Sequence, residues 1–191
     1  TLWCCIRLCI PLFILFGRLA FGTFGPDRNL GGYINSITGR NMLLWDGACH
    51  VHEKFSVEKI LELKKQYPDA KVLVHPECKG TVVKLADKVG STAALLKYSI
   101  NDPAQVFIVA TESGILHEMQ KSCPEKTFIP APPSDSTCAC NECSYMKLVT
   151  MQKLYDCLLN EAPEIHVDAE VAEKAIRPIN RMLEISEKLG L

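Results

Sequence analysis

Between residues 42 and 133 the chain alternates short apolar runs with helical stretches, and few architectures satisfy that pattern. Met42 to Trp45 reads as a buried strand, and "SVEKILELKKQYP" as an amphipathic helix with Ser56 as its cap and Pro68 beyond its end. "AKVLVH" reads as a strand and "GTVVKLADKVG" as a helix closed by Gly90. "VFIVAT" is a strand, "GILHEMQKSCP" a helix and "KTFIPAP" a last strand. Strands and helices in strict turn predict an α/β fold, a parallel sheet covered by helices. Upstream, "GPDRNLGGYINSITGRN" is turn-rich and reads as loop plus a short helix. From Tyr145 onward the pattern is helical only, in two stretches separated near Pro163, the second starting at an Asp168 cap and carrying Pro178 as a kink. Two helices cannot bury both of their apolar faces alone. Met119 and Met151 read as core fillers.

A chain of 191 residues, 48% of them apolar, suits one domain or two small ones with a real core. A net charge of −1 argues against broad electrostatic capture of nucleic acid, and no nucleic-acid partner is expected. Ten cysteines are many for an intracellular protein. Helices of this length between them favour metal or redox chemistry over a secreted disulfide framework. The head, residues 1–22, holds an apolar core from Leu8 to Phe16, broken by Pro11 and flanked by Arg7 and Arg18. It is short for a spanning helix and closer to a signal-type segment, so no membrane anchor is expected. A start at Thr1 rather than methionine suggests a fragment or a processed product.

Three unusual stretches each sit where a strand hands over to a loop: "DGACHVH", "HPEC" and "CACNEC". In open α/β sheets, ligands gather beyond the carboxyl ends of the strands. One histidine there is most often a hydrogen-bonded structural group, and one buried cysteine is most often packing. Three such stretches on one sheet edge change the balance. The spacing C-x-C-x-x-C holds a metal only with a further ligand, which Cys49 could supply. His75 and Glu77, two apart, share a side if strand geometry persists, and imidazole with carboxylate is a common acid–base pair. Ser91 and Thr92 follow Gly90 and could hold an anion, a weak motif alone. Thr111 and Glu112 read mainly as a helix cap.

Taken in order, "FGPDRNLGGYINSITGRNMLLWDGACHVHEKF", "VHPEC", "VGST", "FIVATESGILHEM" and "CACNECSYMK" resemble quinolinate synthase of the plant type, from about Phe24 to the carboxyl terminus. The resemblance implies a pseudo-threefold fold of three-layer parallel-sheet domains with C-terminal helices, its first domain missing here. On it, residues 1–22 are an unassigned apolar segment and 23–53 a remnant of the second α/β domain. Residues 54–143 are then the third α/β domain and 144–191 the C-terminal helices. It implies condensation of iminoaspartate with dihydroxyacetone phosphate to quinolinate, for NAD biosynthesis. The implied cofactor is a [4Fe–4S] cluster held by three cysteines, of which Cys49 and Cys143 are two. It implies His75 and Glu77 in substrate contact and proton transfer, with His52, Ser91 and Thr92 as further substrate contacts. Cys138 and Cys140 receive no ligand role.

Further implied partners are a second copy in a homodimer and iron–sulfur assembly proteins. The implied location is the plastid, or the cytoplasm for a chain not of plant type. Val149 departs from the family's more usual asparagine. With one cluster ligand absent, this chain alone is expected to be inactive, its C-terminal helices leaving an apolar face exposed. Two other readings stay open: a small α/β module in which Cys49, Cys138, Cys140 and Cys143 hold a structural zinc, and a non-catalytic truncated remnant.

Overall fold

The computed structural model describes residues 22–135 and 141–190, in two compact units that meet in sequence between Cys143 and Ser144. Residues 1–21 of the head, Cys138 and Cys140 lie outside the described residues.

In the first unit, β1 (Thr23–Phe24) and β2 (Leu43–Leu44) form a two-stranded parallel sheet around helix α1 (Arg28–Thr38). The expected short helix is three turns long, because both its ends are fixed. Asp27 caps the start by accepting the Leu30 N–H, and Gly39 closes the end at φ 68°, a left-handed conformation that suits glycine. The expected buried strand at Met42–Trp45 is corrected. With β1 as its one strand neighbour among the described residues, it leaves Leu43 72% and Trp45 66% exposed, while Met42 is buried.

The larger sheet has the order β4-β3-β5-β6, every pair parallel: β3 (Lys71–Val74), β4 (Lys88–Val89), β5 (Val106–Ala110) and β6 (Thr127–Pro130). Helices cover both faces: α2 (Val57–Gln66), α3 (Gly80–Val83), α4 (Thr92–Asn101) and α5 (Ile115–Ser122). Alternate residues explain why β3 and β5 read as unbroken apolar runs. Val72, Val74, Ile108 and Ala110 pack on one face with Ile60 and Val82; Leu73, Phe107 and Val109 pack on the other with Leu95, Ile115 and Met119. A strand buried on both faces has no solvent side to mark with polar residues. The α/β expectation is therefore met.

One predicted helix breaks early. "GTVVKLADKVG" turns helical only over Gly80–Val83, and Lys88–Val89 joins the sheet as its edge strand. Asp87 causes the switch: its N–H donates to the Val72 carbonyl (2.9 Å), while its carboxylate accepts the Val72 N–H (2.8 Å) and the Lys71 ammonium (3.1 Å). Pairing with β3 outweighs a few tenths of a kcal/mol per residue of helix preference.

The second unit carries α6 (Met151–Asn160) and α7 (Ala169–Leu189), the latter passing through Pro178 and capped by Asp168. Leu154, Tyr155, Leu158, Leu159, Ile176 and Ile179 are exposed. Met119 is buried as expected, whereas Met151 is exposed with the rest of α6. Among the described residues no helix is long and apolar enough to cross a membrane.

Candidate functional site

The site hangs from the carboxyl edge of the sheet. After Trp45 the chain turns at Gly47, where any Cβ would run into the Pro26 carbonyl oxygen, and Gly47 in turn accepts the Arg28 N–H (2.8 Å). Asp27 does two jobs here. Its Oδ1 caps α1, and its Oδ2 accepts the Cys49 N–H (2.8 Å), so one buried carboxylate ties a helix start to the cysteine loop. Burial raises the Asp27 carboxyl from its ordinary value, against the hydrogen bonds from Leu30 and Cys49. A single helical turn at His52–Lys54 follows, its Glu53 N–H bonded to the Cys49 carbonyl (3.0 Å). That turn aims His52 inward.

His75 and Glu77 reach the same place by another route. The β3 ladder extends one step, His75 N–H to the Ala110 carbonyl (3.1 Å), and the chain then turns, with the Cys78 N–H on the His75 carbonyl (3.0 Å). His75 and Glu77 share a side through this turn rather than through the pleat of a strand. His52 Nδ1 lies 3.2 Å from Glu77 Oε2, and His75 Nδ1 lies 3.9 Å from the same oxygen. The two imidazoles stack with centroids 4.5 Å apart. His52 Nε2 is 3.1 Å from the Thr111 hydroxyl. One sulfur, nitrogen and oxygen atom from Cys49, His52 and Glu77 all lie within 4.8 Å of one another.

Electrostatics separates the two histidines. Burial would lower the His52 pKa, but short polar contacts with Cys49 and Glu77, and their negative charge, outweigh it and lift the group to about 9. Burial lowers His75 to about 4, helped by the neighbouring His52 charge and opposed by Glu77. Burial opposes ionisation of Cys49 and Glu77 too, yet contact with His52 holds both below their ordinary values. The centre thus sets a thiol and a carboxyl, both shifted toward their charged forms by His52, beside a neutral His75 imidazole, which suits metal ligation or proton transfer.

Cys143, half-buried, packs against the same core cluster as Cys49. Its N–H is held by Glu112 Oε1 (3.4 Å), whose other oxygen accepts the Gly114 N–H (2.8 Å). The buried Asn141 anchors this loop, donating to the Ala131 carbonyl and accepting the Ser113 N–H on its own carbonyl. Ser91 and Thr92 stand at the same sheet edge, where the Ser91 hydroxyl caps α4 by accepting the Ala94 N–H (3.3 Å). The five described cysteines 49, 78, 123, 143 and 157 are free of disulfides.

Two residues escaped the sequence reading. Thr111, read as part of a cap, instead holds His52. The signal was its register: Val74 pairs with Ala110, so the next positions, His75 and Thr111, emerge side by side. Asp27 announced itself only as a residue before a helix.

An α/β unit that gathers thiol, imidazole and carboxylate at its carboxyl edge presents groups that could hold a metal ion or move protons there. The chain belongs to the quinolinate synthetase A protein family, whose profile matches residues 22–184. It is similar to the quinolinate synthase of Synechococcus sp., 55% identical over 163 residues, which cover 85% of this chain and 51% of that protein. The quinolinate synthase of Microcystis aeruginosa is likewise 55% identical, with the same coverage. That of Chloroherpeton thalassium is 53% identical over 164 residues, 86% of this chain and 51% of that protein. The chain thus spans about half the length of the curated relatives it matches.

Proposed function

We propose that this chain is the carboxyl-terminal part of a quinolinate synthase, condensing iminoaspartate with dihydroxyacetone phosphate to quinolinate for NAD biosynthesis when the rest of the enzyme is present. What supports this reading is the family match together with the Cys49–His52–His75–Glu77 cluster at the sheet's carboxyl edge. His75, neutral, and Glu77, ionised, are the proton-handling pair, with His52 orienting both. Ser91 and Thr92, at the start of α4, face an anionic end of the substrate with the helix N–H groups.

The resident cofactor of this proposal is a [4Fe–4S] cluster. The donor chemistry fits in part: Cys49 is held toward the thiolate that a cluster needs, and Cys143 packs on the same core cluster. These two thiols are two of its ligands, and a third comes from the part of the enzyme that these residues do not span. When bound, an iron with an open position supplies Lewis acidity toward a substrate oxygen. With two thiols the chain alone holds such a cluster loosely and is inactive. Plastid residence, a homodimer and delivery of the cluster by assembly proteins belong to the same proposal.

The test is anaerobic reconstitution with iron and sulfide. A broad visible absorption that is lost in both Cys49→Ser and Cys143→Ser supports the reading. Iron uptake that ignores both substitutions overturns it.

A further inference from the structure

We propose that Asp27 and Glu112 are a matched pair of positioning residues, each carboxylate clasping one cysteine loop to a helix start, so that the Cys49 and Cys143 thiols stand in place before any cofactor arrives. That these thiols serve a cluster rests on the proposed function; the clasps themselves do not.

The topology builds one unit twice. β1 leads through Asp27 into α1, and α1 returns to β2, beyond which lies Cys49. β5 leads through Glu112 into α5, and α5 returns to β6, beyond which lies Cys143. In each unit the two strands are parallel neighbours. The start of the helix and the loop after the second strand therefore emerge at the same edge. A carboxylate at the helix start can reach across to that loop, and in both units it does. Asp27 accepts the Leu30 N–H on Oδ1 and the Cys49 N–H on Oδ2, each at 2.8 Å. Glu112 accepts the Gly114 N–H on Oε2 (2.8 Å) and the Cys143 N–H on Oε1 (3.4 Å). The group held is in both cases the cysteine's own backbone amide, 22 residues along the chain from Asp27 and 31 from Glu112.

Gly114 gives independent support. Its backbone, at φ −58° and ψ −26°, is one that any residue adopts, so the turn does not call for glycine. A Cβ there would nonetheless lie 2.7 Å from Glu112 Oε2 and push the carboxylate away. Glycine at 114 makes room for a glutamate folded back on its own turn, and that fold aims Oε1 at the Cys143 loop. The Cys143 bond is long and half-exposed, so its loss loosens the loop locally rather than the whole unit.

The experiment uses the full chain, reduced and free of metal and sulfide, with isotope-labelled cysteines. Amide hydrogen exchange read by NMR and iodoacetamide alkylation read by mass spectrometry report each cysteine separately, the exposed Cys157 serving as reference. In Glu112→Ala and in Gly114→Ala the Cys143 amide exchanges, and its thiol alkylates, about tenfold faster, while Cys49 and Cys157 keep their rates. Gly114→Ala leaves the negative charge in place and so separates geometry from electrostatics. In Asp27→Ser, whose hydroxyl still caps α1 but does not reach Cys49, the Cys49 amide exchanges about tenfold faster and Cys143 keeps its rate. Circular dichroism shows whether each variant folds. Should Asp27→Ser fail to fold, Asp27→Asn replaces it: the asparagine oxygen caps the helix, and its NH₂ cannot accept the Cys49 N–H.

A Cys143 whose amide exchange or alkylation ignores both Glu112→Ala and Gly114→Ala overturns the pairing. So does a Cys49 amide that ignores the Asp27 substitution, or an acceleration shared by all cysteines in a folded chain. Because no iron or sulfide is present, a chain that shows these rates yet never assembles a cluster refutes only the proposed function. A chain that assembles one while its rates ignore the substitutions refutes only the pairing.

Discussion

Substituting Asp27 tests whether one carboxylate truly joins the first helix to the cysteine loop. In Asp27→Ala two hydrogen bonds vanish, Oδ1 to the Leu30 N–H and Oδ2 to the Cys49 N–H, both 2.8 Å. Losing a helix cap costs about 1 kcal/mol. Losing a bond to a charged acceptor costs about 1.5–3 kcal/mol, with the Cys49 N–H left half-buried. Some of this is recovered, because burial already disfavours the charged carboxylate. The expected net loss is about 2–3 kcal/mol, or roughly 4–12 °C in the unfolding midpoint of a chain this size. Asp27→Ser separates the two bonds, for a serine hydroxyl caps the helix but is too short to reach Cys49. It should recover about 1 kcal/mol of the loss. Urea and thermal unfolding of the metal-free chain, followed by far-ultraviolet circular dichroism, measure all three. A change in Asp27→Ala of no more than about 0.5 kcal/mol, the size of an ordinary surface substitution, refutes the reasoning. Asp27→Ser indistinguishable from wild type would show that the bond to Cys49 contributes nothing.

The histidine pair predicts a stability maximum near pH 6.5 in the metal-free chain. His52, raised from 6.5 to about 9, contributes stability that is complete below 6.5 and is lost as pH rises through 9. His75, lowered from 6.5 to about 4, keeps its contribution above 6.5 and loses it as pH falls toward 4. Each limb amounts to about 3 kcal/mol at most, and urea midpoints that stay flat from pH 5 to 9 would contradict it. Lys126→Met should cost about 1.5–3 kcal/mol, because the buried ammonium donates to the Ser99 and Asp102 carbonyls (2.8 and 2.7 Å) at the end of α4. An unmoved urea midpoint would dismiss that role.

The parts legible in the amino-acid order were those set by local rules. β3, β5, α2 and α5 carry apolar runs or stripes between clear stops, and Ser56 caps α2 by accepting the Lys59 N–H as its position before the helix predicts. Residues 84–89 were misread because a helical pattern there yields to Asp87 and its three bonds to Lys71 and Val72. The exposure of Leu43 and Trp45 was hidden too, since an apolar run looks the same whether or not a neighbour covers it. Within the site, His52, His75 and Glu77 stood out by residue type. Thr111 did not, because its part depends on strand register, and Asp27 did not, because its second bond spans 22 residues to Cys49.

The parallel order of the large sheet also has a consequence in time. β3 cannot meet β5 through a tight turn; the crossover between them must form first, and such long closures slow folding. His75 and Thr111 therefore come together only after the central pair zips, so His52 finds its seat late. Until then the Cys49 and His52 turn lacks Glu77 and Thr111, which reach it only from β3 and β5. Completion of this cluster is thus gated by assembly of the sheet.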